Sequence, residues 1–411
     1  MNNLLHKYFK GDAVLWIVFI ALCVISIIEM YSASSTLAYK ASSYTAPILR
    51  HTGFLFVGAA IAFGIHLIPY KYIRILSYLG LFVSFFLLIW VLLKGQTTND
   101  AARWMSLFGI QFQPSEIAKL SLIIVVADLI SRIKDPANDE KKYFYYIAIA
   151  AGLICTLILP ENFSTAFLLF VVVYIMMFIG RISWKRMLAI AGVPLIALVI
   201  LFSLVKVIPK ESMPKAFDWF DRVYTWEARI DRFFDDNNND SEKYVITDEN
   251  RQMMRGKIAI ARGGVVGVFP GNSIERDYLP QAYSDFIYAI ILEETGLVGG
   301  IFVIFLYLIL LFRVGMIATK CDSVFPALLV IGLALMIVLQ AFISMSVATS
   351  LGPVTGQPLP LISRGGTSIL ITCLYFGIIL GVTRQLKEEQ DKNGNVISQN
   401  NEVPVVELEE I

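Results

Sequence analysis

The sequence predicts an all-α, polytopic membrane protein, on three observations. Of its 411 residues, 57% are hydrophobic and only 16% are charged, a balance foreign to soluble globular domains. The apolar residues gather into stretches able to cross a hydrocarbon core of roughly 30 Å, which takes about 20 helical residues. Strand-type alternation is absent, so helices rather than a closed barrel are expected to satisfy the backbone in lipid.

Ten transmembrane helices are predicted, at about 14–31, 48–68, 73–93, 114–132, 143–159, 162–180, 187–208, 285–312, 323–348 and 365–385. The first, opening at Val14, doubles as a signal anchor. Orientation follows from Lys and Arg in the short connections, which resist crossing the membrane. Lys7, Lys10, Lys71, Arg74, Arg132, Lys134, Lys141, Lys142, Arg181, Lys185, Arg186, Arg313, Lys320, Arg384 and Lys387 fall on one side. The short loops of the other side hold Lys40, Arg50, Lys94, Arg103 and Arg364. Both termini are therefore expected in the cytoplasm, with one long extracytoplasmic loop, 209–284, between helices 7 and 8. That loop has a flexible-looking tip, DDNNND (235–240); its second half, 250–273, regains helical periodicity, becomes glycine-rich and is expected to fold back on the membrane surface. The membrane domain is read as 1–386, and the polar, acidic 387–411 as a disordered cytoplasmic tail.

A net charge of +1 argues against a nucleic-acid partner. The four cysteines and three histidines show no metal-ligand spacing, so no built-in metal is expected.

Ionisable groups within helices cost about 2.5 to 3.5 kcal/mol each on insertion scales and so require a partner, water or a role. In FQPSEIAKL (112–120), Glu116 and Lys119 stand about 60° apart on one face, close enough for an ion pair. Gln113 and Pro114 occupy N-cap and first-turn positions, so a capping box using Glu116 is the structural reading of the same residues. In LPQAYSDFIYAIILEETG (279–296), Asp285 opens the eighth helix at its outer end. Glu293 is about 12 Å deeper and about 80° around, and Glu294 about 180° around, so all three cannot face one groove. The two glutamates are expected to hold the helix against its neighbours. GPVTGQPLPLISRGGTSIL (352–370) is an irregular outer loop whose Gly365–Gly366 permits close approach and whose Arg364 suits phosphate.

RWMSLFGIQFQPSEIAKL (103–120), GNSIERDYLPQAYSDFIYAIILEETG (271–296) and PLPLISRGGTS (358–368), in this order, resemble the signature regions of the SEDS proteins (shape, elongation, division and sporulation). The resemblance implies a peptidoglycan glycosyltransferase that polymerises lipid II, an undecaprenyl-pyrophosphoryl disaccharide-pentapeptide, outside the cytoplasmic membrane. It implies an inverting reaction and a class B penicillin-binding transpeptidase as partner, within the divisome or elongasome. The family's essential Asp falls on Asp285, and its conserved Glu and Lys on Glu116 and Lys119. Substrate contacts are expected at Arg103, Gln113, Ser115, Arg262, Pro280, Ser363, Arg364, Gly365 and Gly366. The wording of GNSI, SRGGTS and QPSEIAKL leans to the FtsW-like division branch over the RodA-like one, hence to the septum. The chain departs from the pattern at PENFSTA (160–166), where Asn162 replaces the usual Asp and Glu161 is its neighbour. No cofactor is built in; a magnesium or manganese ion arriving with the pyrophosphate is compatible with the motifs. Two alternatives carry different outcomes: a lipid II flippase, and a non-catalytic scaffold for the transpeptidase.

Overall fold

The computed structural model describes residues 10–33, 45–94, 96–98, 101–107, 110–136, 138–207, 223–226, 228, 246–247, 250–279 and 282–400. Helices α1 (Ala13–Ala33), α2 (Thr45–His66) and α3 (Tyr70–Lys94) lead to three short strands, β1 (Gln96–Thr98), β2 (Ala101–Leu107) and β3 (Ile110–Phe112). Then follow α4 (Pro114–Ser131), α5 (Asp139–Ile158), α6 (Phe163–Ile179), α7 (Trp184–Val207), α8 (Arg251–Gly263), the single turn α9 (Glu275–Tyr278), α10 (Ile287–Ala318), α11 (Val324–Ala348) and α12 (Thr367–Asn400).

Every predicted span overlaps a helix. Among the described residues seven helices are long and apolar enough to cross a membrane: α1, α2, α3, α5, α10, α11 and α12. Of the rest, α4 carries Glu116, Lys119 and Asp128 within 18 residues, α6 has 17 residues, and α7, 24 residues long, has several side chains outside the described residues. α4 is buried along almost its whole length and packs against α3, α5, α6, α11 and α12. That location explains its charges, because protein rather than lipid surrounds them.

Three expectations are corrected. A small antiparallel sheet, β1–β2–β3, occupies the segment read as loop between the third and fourth spans. Its strands are too short, three to seven residues, to show a period. The eighth span begins at Ile287 and runs to Ala318, so Asp285 lies in the turn before it. The last helix continues to Asn400, through residues expected to belong to the disordered tail. The DDNNND segment and 401–411 lie outside the described residues.

α10 is broken at Gly296, whose φ of 67° and ψ of −169° are not helical. The break displaces two ladder bonds, and the 264–269 segment supplies replacements. Val268 and Phe269 N–H groups donate to the Glu293 and Glu294 carbonyls at 3.0 and 2.8 Å, while Leu297 and Val298 donate to Gly264 and Val265 at 3.0 and 3.3 Å. Side chains would prevent this approach: a Cβ on Gly296 would stand 2.3 Å from the Val265 carbonyl oxygen, and one on Gly267 2.2 Å from that of Glu294. A membrane helix tolerates such a break because buried protein backbone satisfies the freed groups.

One end of the bundle collects arginine–carboxylate pairs. Buried Asp128 binds Arg74, Arg132 at 2.8 Å and the Tyr78 hydroxyl. Asp12 caps α1 through Val14 N–H at 3.0 Å and pairs with Arg313 at 2.7 Å. Burial pushes the Asp12 carboxyl up, but the Arg313 hydrogen bond and the backbone donors of Leu15 and Val14 outweigh it and leave it below its ordinary value.

Candidate active site

At the opposite end, the loop from 349 to 366 joins α11 to α12. Pro358 and Pro360 lack an N–H and exclude regular structure there, yet their carbonyls still need donors. Side chains from three helices provide them. Gln340 of α11 donates to Pro358 at 3.0 Å, Tyr307 of α10 to Pro360 at 2.6 Å, and Ser26 of α1 to Ile362 at 3.1 Å. Between the last two anchors the buried Leu361 sits at φ 65°, a left-handed conformation that costs a branched side chain about 1–3 kcal/mol and persists only where the surroundings impose it.

The loop docks on the turn that carries Asp285. Ser363 Oγ donates to the Ser284 carbonyl at 2.6 Å, and Arg364 N–H to the Tyr283 carbonyl at 2.9 Å. The Arg364 guanidinium lies 5.3 Å from the centre of the Tyr283 ring, in a cation–π contact. Asp285 itself, half-buried, accepts from Ser284 Oγ at 2.9 Å. Burial lowers the Arg364 pKa; Tyr283 opposes this and Arg50 adds to it. Gly365 and Gly366 then release the chain into α12, with Gly366 at φ 47° and the Gly365 carbonyl accepting from Ser368 N–H at 2.8 Å. Asp285, Ser363, Arg364, Gly365 and Gly366, separated by some 80 residues of sequence, thus form one site.

Glu116 and Lys119 form the expected pair, Nζ to Oε1 at 2.8 Å, both buried at the start of α4. The capping box does not form. Gln113 is the N-cap and Pro114 follows it, but the Gln113 side chain makes no cap bond, and the Glu116 carboxylate reaches Lys119 instead. Ser115 is buried beside them. α4, which carries the pair, packs against α12. Among the described residues no hydrogen bond or ion pair links this pair directly to the Asp285 turn.

The glutamates of α10 serve the fold. Glu293 accepts from Ser273 Oγ and from Ile274 N–H at 3.1 Å, with Arg262 at 3.7 Å. It pins the segment leading into α9. Glu294 binds Ser32 of α1, whose hydroxyl and carbonyl also meet Arg276. Arg262 is thereby placed against Glu293 and away from the Asp285 turn. Arg103 lies in β2, with its side chain outside the described residues, as is Pro280. Asn162 caps α6, accepting from Thr165 N–H at 3.2 Å, and Gln357 of the long loop bonds Thr165 at 2.6 Å.

Sequence reasoning missed the residues that hold the site: Ser26, His51, Tyr283, Ser284, Tyr307 and Gln340. Gln340, a lone amide in an apolar helix, was the one visible signal. A cavity of about 300 Å³ flanks the first part of the loop, lined by Phe163, Trp226, Val347 and Pro353 among others. Among the described residues no charged side chain lines it. Among the described residues no cluster of three or more His, Cys, Asp or Glu is arranged around a metal position.

A family model described as cell cycle protein, covering FtsW, RodA and SpoVE, matches residues 12–388. The chain belongs to the SEDS family. Among the relatives of this SEDS protein, one from Enterococcus hirae named "Probable peptidoglycan glycosyltransferase FtsW" is 30% identical over 394 residues, 92% of this chain and 95% of its own length. One of the same name from Saccharophagus degradans is 32% identical over 375 residues, 88% and 89% of the two chains. The fold is similar to a chain of a peptidoglycan synthase complex that coordinates polymerization and crosslinking, with TM-score 0.70 and 23% identity over 92% of this chain and 98% of that one. It is similar also to the rod shape determining protein RodA of Thermus thermophilus, with TM-score 0.62 and 22% identity over 91% and 97%.

Proposed function

We propose that this SEDS protein is a peptidoglycan glycosyltransferase that polymerises lipid II at the outer face of the cytoplasmic membrane, in the division branch, beside a class B penicillin-binding transpeptidase. The single observation that carries the reading is the docking of the Ser363–Arg364 loop on the Asp285 turn, which joins a carboxylate and a guanidinium from two distant motifs. The names of the relatives support peptidoglycan glycosyl transfer, and the synthase complex that couples polymerization to crosslinking supports a crosslinking partner; lipid II and the class B transpeptidase follow from the family resemblance.

The topology that fits is ten spans with both termini cytoplasmic. It sets the Asp285 turn, the start of α4 and the 349–366 loop at the outer face, where the lipid-linked headgroup lies. Asp285 is assigned as general base, taking the proton of the acceptor sugar's 4-hydroxyl as that oxygen attacks the donor's anomeric carbon. The bond from that carbon to the pyrophosphate breaks with inversion, and Arg364 stabilises the departing charge. Lys119, fully buried on Glu116, is assigned to positioning. Among the described residues no cluster would hold a divalent cation, and one carried in with the substrate would supply charge neutralisation at the pyrophosphate.

The test is lipid II polymerisation by the purified protein with its transpeptidase. Asp285→Asn is expected to lower glycan synthesis by about 10²–10⁴-fold, and undiminished synthesis would remove the base assignment. Translocation of lipid II in liposomes without polymerisation would replace the reading by the flippase, and complementation of a null strain by Asp285→Asn by the scaffold.

A further inference from the structure

Three carbonyls of the 358–362 stretch are anchored, and the anchors differ in where they act. Those of Gln340 and Tyr307 fall on Pro358 and Pro360, before the strained Leu361. The Ser26 bond to Ile362 falls after it, immediately before Ser363 and Arg364. This anchor has a second layer. Ser26 Oγ stands 2.8 Å from His51 Nε2, and both side chains are buried, at 0% and 2% exposure. A hydroxyl has one proton, and here it goes to the Ile362 carbonyl. Ser26 Oγ must therefore accept from His51 Nε2–H, which fixes the neutral ring's proton on Nε2 and leaves Nδ1 without a partner among the described residues.

We propose that Ser26 and His51 are a positioning pair for the Asp285–Arg364 site: His51 orients the Ser26 hydroxyl onto the Ile362 carbonyl, and this holds the strained 361–364 turn with Arg364 on Tyr283. The geometry explains why a donor to Ser26 is needed. Without it the hydroxyl can rotate away, and the Ile362 carbonyl loses its bond in a buried setting where water does not replace it. Leu361 then relaxes from its left-handed conformation and the guanidinium shifts from the place where charge develops. The role in turnover rests on the proposed glycosyltransfer; the hold on the turn does not.

The experiment compares His51→Phe, His51→Gln and Ser26→Ala in the full-length protein with its transpeptidase, by lipid II turnover and by amide exchange at 361–366. His51→Phe and Ser26→Ala are expected to lower kcat about tenfold with KM changed less than about twofold, and to speed exchange at Ser363 and Arg364. His51→Gln keeps an N–H for Ser26 and is expected to retain most of both. A merely structural histidine would not be rescued by that change. Wild-type kcat and exchange in His51→Phe, or His51→Gln falling as far as His51→Phe, overturns the proposal. If His51→Phe does not fold, Ser26→Ala decides. If the wild type makes no glycan, the functional reading fails while exchange still tests the pair.

Discussion

Arg364 is held differently from the arginines at the far end of the bundle. At the end bearing the chain's first described residues, Arg74 and Arg132 converge on buried Asp128, and Arg313 on Asp12. At the end bearing Asp285, the Arg364 guanidinium lies over the Tyr283 ring while its main-chain N–H holds the Tyr283 carbonyl, and it makes no carboxylate ion pair among the described residues. Charges closed into pairs hold helices together and offer nothing to a ligand. A guanidinium positioned without a counter-ion has its donors left for an anion.

That contrast can be broken at several points. The largest effect is expected from Lys119→Met, which leaves Glu116 buried without its partner and removes about 3–5 kcal/mol of stability. A thermal midpoint close to wild type would show that Glu116 has another source of compensation. Arg364→Ala comes next: about a 10²-fold loss of glycan synthesis with little change in thermal midpoint. Arg313→Ala is expected to do the reverse, lowering the midpoint while the folded enzyme keeps its turnover, and equal behaviour of the two variants would erase the distinction between the ends. Asp128→Asn should cost about 1–3 kcal/mol, less than Lys119→Met because Arg74 and Arg132 are partly exposed and recover water; chemical denaturation measures it.

The smallest effect is a pH dependence. Asp12 has a folded pKa below its ordinary 3.8, so its contribution is fully present above that value and is lost as pH falls through the lowered folded value. Arg313→Ala should flatten this acid limb of the stability curve, and an unchanged limb would assign it to other carboxylates.

Much of the architecture was legible because lipid imposes it: apolar length marks spans, and Pro and Gly mark the loop before α12. The Glu116–Lys119 pair was legible for a similar reason, since three-residue spacing on a helix fixes proximity. The sheet of 96–112 was not, because strands of three to seven residues, AARWMSL the longest, carry no clear period and only pairing makes them strands. Nor could helical projection find the partners of Glu293 and Glu294. They bind Ser273 and Ser32, 20 and 262 residues away, and Gly296 breaks the helix on which the projection relies.

By itself the sequence determined that the chain is a multi-pass membrane protein, where its apolar segments lie, and which motif residues are candidates for chemistry. These follow from composition and local spacing. Only the tertiary structure decided that the Ser363–Arg364 loop docks on the turn carrying Asp285, that Glu293 and Glu294 bind Ser273 and Ser32, and that Ser26 and His51 stand behind the loop. The physical reason is that each of these facts is a hydrogen bond or ion pair between elements distant in sequence, and such partners are chosen by how the helices pack.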